Sequence, residues 1–100
     1  MSKRTKALDI SAKTKQAVWE RDNHKCIYCG SHQAMPNSHV IPRSKGGLGV
    51  EQNIVTHCIE CHGKMDQGIK SERLPIKQHA LEYIKRLYPN WTEQKVIYKK

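Results

Sequence analysis

The stretch CIYCGSHQAMPNSHVIPRSKGGLGVEQNIVTHCIECHGKMD, residues 26–66, decides how this chain folds. It contains two C-x2-C pairs, Cys26 with Cys29 and Cys58 with Cys61. In each turn two thiolates can bite one ion from a tight loop, and Gly30 helps the first turn reverse. Two such turns complete the tetrahedral sulfur set that Zn2+ favours, at about 2.3 Å per bond. Disulfides and a thioredoxin-like redox pair are the rival readings. The N-terminal residues have the basic character of a signal peptide but no apolar stretch after them, which argues against a disulfide framework. A redox motif accounts for one pair and leaves the other unexplained. Structural zinc is the expectation.

The composition asks for such a staple. In 100 residues only 37% are apolar and Phe is absent, so a hydrophobic core is thin. Structural zinc in a small domain contributes on the order of 10 kcal/mol of folding free energy. That is comparable to the whole stability of a typical domain. A four-sulfur site is also coordinately closed and cannot activate a water. Any chemistry must therefore lie elsewhere in the chain.

Charge points to the partner. Eighteen Lys and Arg stand against nine Asp and Glu, a net charge of +9. Basic residues cluster at both ends, at Lys3, Arg4 and Lys6 and at Lys95, Lys99 and Lys100. A polyanion, most commonly nucleic acid, fits this balance, and a merely solvated basic surface is the bland alternative. No apolar run approaches the roughly 18 residues of a membrane-spanning helix, so no membrane partner is expected. The expected location is the cytoplasm.

Outward from the central stretch, residues 1–9 are polar and basic and read as a flexible arm, with a single domain over 10–100. Ser11 can cap a helix running to about Asp22, and Ile10, Thr14, Ala17, Val18 and Arg21 share one face of it. Asn23 and His24 look like its break. Short strands are expected over 35–41 and 54–56, separated by a glycine-rich loop over 43–49. The second cysteine turn leads into a short helix ending near Gly68. Pro75 suits the first turn of another helix. There Ile76, Ala80, Tyr83, Ile84 and Leu87 form a packing stripe, and Pro89 is the stop. The tail WTEQKVIYKK can pair as an edge strand or lie across the domain.

Between and after the cysteine pairs stand His39-Val40-Ile41-Pro42, Ser44-Lys45-Gly46-Gly47, Asn53-Ile54-Val55 and Cys58-Ile59-Glu60-Cys61-His62. This order of pieces resembles the HNH endonuclease family over residues 26–66. The flanks, AVWERD and YPNW, look like short phage-type or prophage-type members. The resemblance implies an α+β fold with a small ββα-metal core, flanking helices and the structural four-cysteine zinc site. It implies hydrolysis of phosphodiester bonds in DNA with one catalytic divalent ion, Mg2+, Mn2+ or another. His39 falls where the family has its general base. Asn53 falls where the family's Asn holds the loop and orients that base. His62 falls at a metal ligand on the helix. A phage-type member would work in the host cytoplasm beside packaging proteins such as terminase.

Elementary chemistry agrees with these roles. Neutral imidazole, with an unperturbed pKa near ~6.5, can take a proton from water at physiological pH. His62 and Asp66 lie one helical turn apart, so their side chains point the same way and can share a cation. A solvated helix-end acid is the alternative for Asp66. Arg43 and Lys45 can contact phosphate, or simply be solvated. His57 reads as a surface or supporting residue, with a ligand role open. His24, His32 and His79 read as solvent-facing, and Trp19 and Trp91 as packing residues. Many family members carry a metal-binding Asp or His where this chain has Ser38, which implies a weakly held ion. The rival functional class is a non-catalytic zinc-stabilised module that binds DNA or RNA.

Overall fold

The computed structural model describes residues 3–99; Met1, Ser2 and Lys100 lie outside the described residues. Helix α1 spans Lys3–Leu8 and α2 spans Ala12–Arg21. Strands β1 (Ala34–His39) and β2 (Ile54–Cys58) pair antiparallel. Helix α3 (Ile59–Gln67) follows β2 directly, and α4 (Lys70–Leu87) completes the helices. Single 3-10 turns at Arg43–Lys45, Glu51–Asn53 and Glu93–Val96 shape the loops and the tail. The units β1, β2 and α3 form the expected ββα core.

Local signals set most boundaries. Ser11 caps α2 by accepting the Thr14 amide at 3.1 Å. The helix stops where Asn23 and His24 adopt left-handed backbone, at φ of 60° and 58°, a conformation that Asn tolerates better than most residues. Cys58 caps α3 through its own sulfur, which accepts from the Cys61 amide at 3.3 Å. In β1, Met35 pairs with His57 but Ser38 pairs with Val55, so the strand carries an extra residue. Pro36, which has no N–H to give the ladder, sits in this bulge.

Two differences from the sequence reading concern helices. Residues 3–8 are helical rather than a loose arm, and Leu8 is 2% exposed. One buried side chain in an otherwise polar hexapeptide gives no periodic signal, so its docking is a tertiary effect. Helix α4 begins at Lys70, and Pro75 lies inside it. The turn ahead of Pro75 is held by the Glu72 and Arg73 amides donating to the Ile69 carbonyl, at 3.0 and 2.9 Å. The packing stripe holds for Ile76, Ala80 and Ile84, all buried, while Leu87 is exposed.

The core is two small clusters. Cys26, Cys58, Cys61, Met65 and Ile76 form one. Val40, Val55, Ala80 and Ile84 form the other, edged by Ile27, Leu81, Tyr83, Tyr88 and Trp91. The tail neither adds a long strand nor hangs free. Leu48 donates to Val96 at 2.8 Å and Tyr98 to Gly46 at 2.7 Å, which ties it to the glycine loop.

A buried polar brace joins these parts. Asp22, 2% exposed, receives Arg21 through Nε at 2.8 Å and Nη2 at 3.1 Å. It also accepts the Thr56 amide at 2.9 Å and the Tyr83 hydroxyl at 2.6 Å. Arg21 donates onward to the Glu51 and Ile54 carbonyls, both at 2.7 Å. Burial and the Asp22 carboxylate push the Tyr83 phenol up to about 12. One carboxylate thus fastens α2 to β2 and α4. Asp22→Ala leaves the half-buried Arg21 charge without its carboxylate and the Thr56 amide without its acceptor, so unfolding by urea should show a loss of about 3 kcal/mol. Loss of only a few tenths would mean that the brace is ornamental.

Candidate metal centre and catalytic cleft

The four cysteines meet. Cys26 and Cys29 stand on the turn after α2, closed by the Gly30 amide donating to the Cys26 carbonyl at 3.0 Å. Gly30 holds a φ of 81°, which a side chain would resist. Cys58 ends β2 and Cys61 lies in the first turn of α3. All four sulfurs lie within 4.8 Å of one another, and those of Cys29 and Cys58 are 3.5 Å apart. Bonds of 2.3 Å to a tetrahedral zinc require sulfur–sulfur edges of about 3.8 Å, so this set can hold a zinc ion. Burial and neighbouring sulfurs drive the Cys61 thiol up. At Cys26 burial acts the same way, but amide hydrogens from Cys29, Cys58 and Tyr28 outweigh it and draw the thiol down to about 7. Sulfurs this crowded cannot all ionise without a cation between them, and Zn2+ supplies that charge.

A separate cleft of about 1060 Å³ lies beside α3. His39, the last residue of β1, lines it, as does Asn37 two residues earlier. His62 and Asp66 of α3 line it too, with His62 Nε2 3.4 Å from Asp66 Oδ2. Lys15, Arg43, Lys45, Arg73 and Lys77 complete a cationic rim. The structure therefore brings together His39, His62, Asp66, Arg43 and Lys45, each expected from sequence. Lys15, Asn37, Arg73 and Lys77 were not anticipated. Arg73 and Lys77 are one turn apart on α4, a spacing that could have flagged them.

Asn53 lies beneath the cleft, fully buried. Its Oδ1 accepts the Ile41 amide at 2.8 Å, and its Nδ2 donates to the Ile41 and Leu48 carbonyls at 3.1 and 2.9 Å. It clamps the loop that follows His39. Gly47 must be glycine here, because a Cβ would fall 1.7 Å from the Ile41 carbonyl oxygen and 2.9 Å from Asn53 Nδ2. The His39 ring itself is held from elsewhere: its Nε2 lies 2.9 Å from the Leu8 carbonyl. Burial lowers the His39 pKa, and Arg43 adds to that, while the bond to Leu8 and the Asp66 carboxylate oppose it. Arg43 is tied into the same corner, donating to the Leu8 carbonyl at 3.1 Å and to Asp9 at 2.7 Å.

Ser38 points away from the cleft. It is fully buried, and its hydroxyl lies 2.8 Å from His57 Nδ1. Side chains alternate along a strand, so Asn37 and His39 face the cleft while Ser38 faces inward. His57 is accordingly not a surface residue: it is 1% exposed, and burial, with the nearby His62 and His79, lowers its pKa to about 4. Its burial follows from a partner across the sheet, which spacing along the chain cannot reveal. His24 and His32 are exposed as expected, His24 stacking on Trp19 at 5.1 Å. His79 is half-buried, edge-on to Tyr28 at 5.2 Å. Trp91 donates to the Gln52 carbonyl at 2.7 Å.

Substituting one cysteine opens the sulfur set and removes most of the ion's binding free energy. Cys29→Ala or Cys58→Ala should leave a chain that loses its circular dichroism signature or aggregates, and the wild type should carry stoichiometric zinc by elemental analysis. A folded, zinc-free Cys58→Ala would refute a structural role for the metal.

Comparison with known proteins agrees with the geometry. The HNH endonuclease family matches residues 26–74, which include both cysteine pairs, His39, Asn53, His62 and Asp66. Anaredoxin of Nostoc sp. (strain PCC 7120 / SAG 25.82 / UTEX 2576) is 33% identical over 57 residues, covering 56% of this chain and 75% of that protein. No solved structure matches. Among the described residues, no helix is long and apolar enough to cross a membrane. With the ββα unit, the four-cysteine cluster and the motif match in agreement, the chain belongs to the HNH endonuclease family.

Proposed function

We propose that this chain hydrolyses or nicks DNA as a divalent-metal-dependent endonuclease. One observation carries the reading. A half-buried histidine, His39, and a paired imidazole and carboxylate, His62 and Asp66, line one cleft rimmed by five cationic side chains. Phosphodiester hydrolysis needs a base for the attacking water, charge relief on the phosphate and a way to seat a polyanion. The cleft offers a residue for each.

His39 takes the proton from water. Its lowered pKa keeps the ring neutral at physiological pH, the state a base requires. His62 and Asp66 offer one nitrogen and one carboxylate oxygen 3.4 Å apart, a donor pair suited to Mg2+ or Mn2+ with water completing the shell. Such an ion, when bound, relieves charge on the phosphate and stabilises the departing O3′. Lys15, Lys45, Arg73 and Lys77 seat the DNA backbone, and Arg43 does so while anchored to Asp9. Asn53 keeps the loop after His39 in place through its bonds to Ile41 and Leu48. Action beside DNA-packaging proteins such as terminase, in the host cytoplasm, extends the proposal from the phage-type likeness of the flanks.

A non-catalytic zinc module that binds DNA or RNA is the second reading. It is favoured by Ser38, which is turned inward and leaves the cleft without the carboxylate or imidazole many relatives have there.

Supercoiled plasmid separates the two. Incubation with Mg2+ or Mn2+ should yield open circles, and chelation should stop it. His39→Ala should lower turnover by about 10²-fold or more while zinc content and DNA affinity hold. Binding without nicking under any divalent ion would select the second reading. The pH dependence has a definite sign. Only neutral His39 is active, and its pKa lies below the ordinary 6.5. The nicking rate should therefore be flat near neutrality and decline only as pH falls below 6.5, with Arg43 lowering and Asp66 raising the point of decline. Affinity for duplex DNA should fall steeply from low to moderate salt, because several phosphates release counterions on binding. Salt-independent binding would point to a different surface.

A further inference from the structure

We infer that the N-terminal segment is part of the catalytic machinery, with the Leu8 backbone carbonyl fixing the tautomer and orientation of His39. This deepens the endonuclease reading and rests on it. His39 Nε2 lies 2.9 Å from the Leu8 oxygen. A carbonyl oxygen can only accept, so Nε2 must carry the hydrogen. Neutral imidazole has one N–H, so Nδ1 is left with its lone pair. The contact thereby selects which nitrogen can act as base. It also prevents the ring from turning over, because the flipped ring would have no donor where Nε2 now sits.

The carbonyl is held in place from several sides. The Leu8 side chain is buried. Arg43 donates to the same oxygen at 3.1 Å and grips Asp9 at 2.7 Å. The Gly49 amide donates to the Ala7 carbonyl at 3.1 Å. The chain there packs so closely on Gly49 that a Cβ would fall 2.1 Å from the Asp9 oxygen. Residues 7–9 lie outside the family match at 26–74, so this support comes from beyond the shared motif. Within the motif, the Asn53 side chain spends its hydrogen bonds on Ile41 and Leu48. Leu8 is therefore a positioning residue through its backbone. No side-chain substitution at position 8 deletes the interaction directly, which is why the test moves the segment instead.

Two variants of the whole chain do so without altering His39 itself. Gly49→Ala pushes on the Asp9 carbonyl, and Asp9→Asn weakens the grip of Arg43 with no change in size; Asp9→Glu keeps the charge. Nitrogen-15 spectra of the His39 ring, with zinc bound, report the tautomer. The wild type should show protonated Nε2 and bare Nδ1. Gly49→Ala and Asp9→Asn should show a tautomer mixture and a fall in nicking turnover of about tenfold or more, within the range for a general base. Zinc content should be unchanged; turnover is read at saturating DNA, because Asp9 lines the cleft and grips Arg43, and Asp9→Glu should recover most of it. A merely structural segment would alter stability without moving the ring signature. A wild-type ring protonated on Nδ1 would overturn the inference, as would variants that keep both the signature and the turnover. A wild type with the Nε2–H signature but no nicking under any divalent ion would count against the endonuclease reading alone.

Discussion

Sulfur atoms within 4.8 Å of one another bind the turn after α2 to the junction of β2 and α3, and much of the remaining geometry follows from that knot. Cys58 is both a member of the cluster and the cap of α3, so the cluster fixes where the helix starts and how it is rotated. Cys61 and Met65, one turn apart, face the core. His62 and Asp66 are each one residue further on, about 100° around the helix axis. That rotation carries them out of the core and into the cleft. A closed sulfur site thus aims two side chains that line the cleft.

The knot alone does not tie the end of α2 to β2 and α4, and a chain without Phe has little apolar bulk to do so. Arg21 and Asp22 take that place. Their network reaches α2, the backbone of β2 and the Tyr83 hydroxyl of α4. A desolvated ion pair is costly unless its remaining hydrogen-bonding capacity is filled. Here Asp22 accepts from Arg21, Thr56 and Tyr83, which fills it. The domain is held by one cysteine cluster and one carboxylate hub, together with two modest apolar clusters.

The contrast between these two devices explains what could be read from the chain. The cysteine pairs, the Ser11 cap, the break at Asn23 and His24 and the His62–Asp66 spacing are local relations, and local relations survive in a linear string. The His39–Pro42 motif was legible through family likeness. The inward turn of Ser38 was hidden because its partner His57 lies on the other strand. The bulge at Pro36 and Asn37 was hidden for the same reason: it exists only relative to β2. Helix α1 gave no signal because its anchors are backbone groups of Ala7 and Leu8 meeting Gly49, His39 and Arg43. Backbone atoms are the same in every residue, so sequence carries little trace of which of them will be used.

The glycine loop after β1 is gripped from both ends of the described chain. Gly49 donates to Ala7, while Gly46 and Leu48 are bonded to Tyr98 and Val96. This bears on how the protein is handled. A purification tag placed ahead of residue 3 hangs from the helix whose end touches His39. One placed after residue 99 hangs from a tail that holds the far side of the same loop. Neither end is a neutral attachment point, because each bears on the loop over residues 46–49.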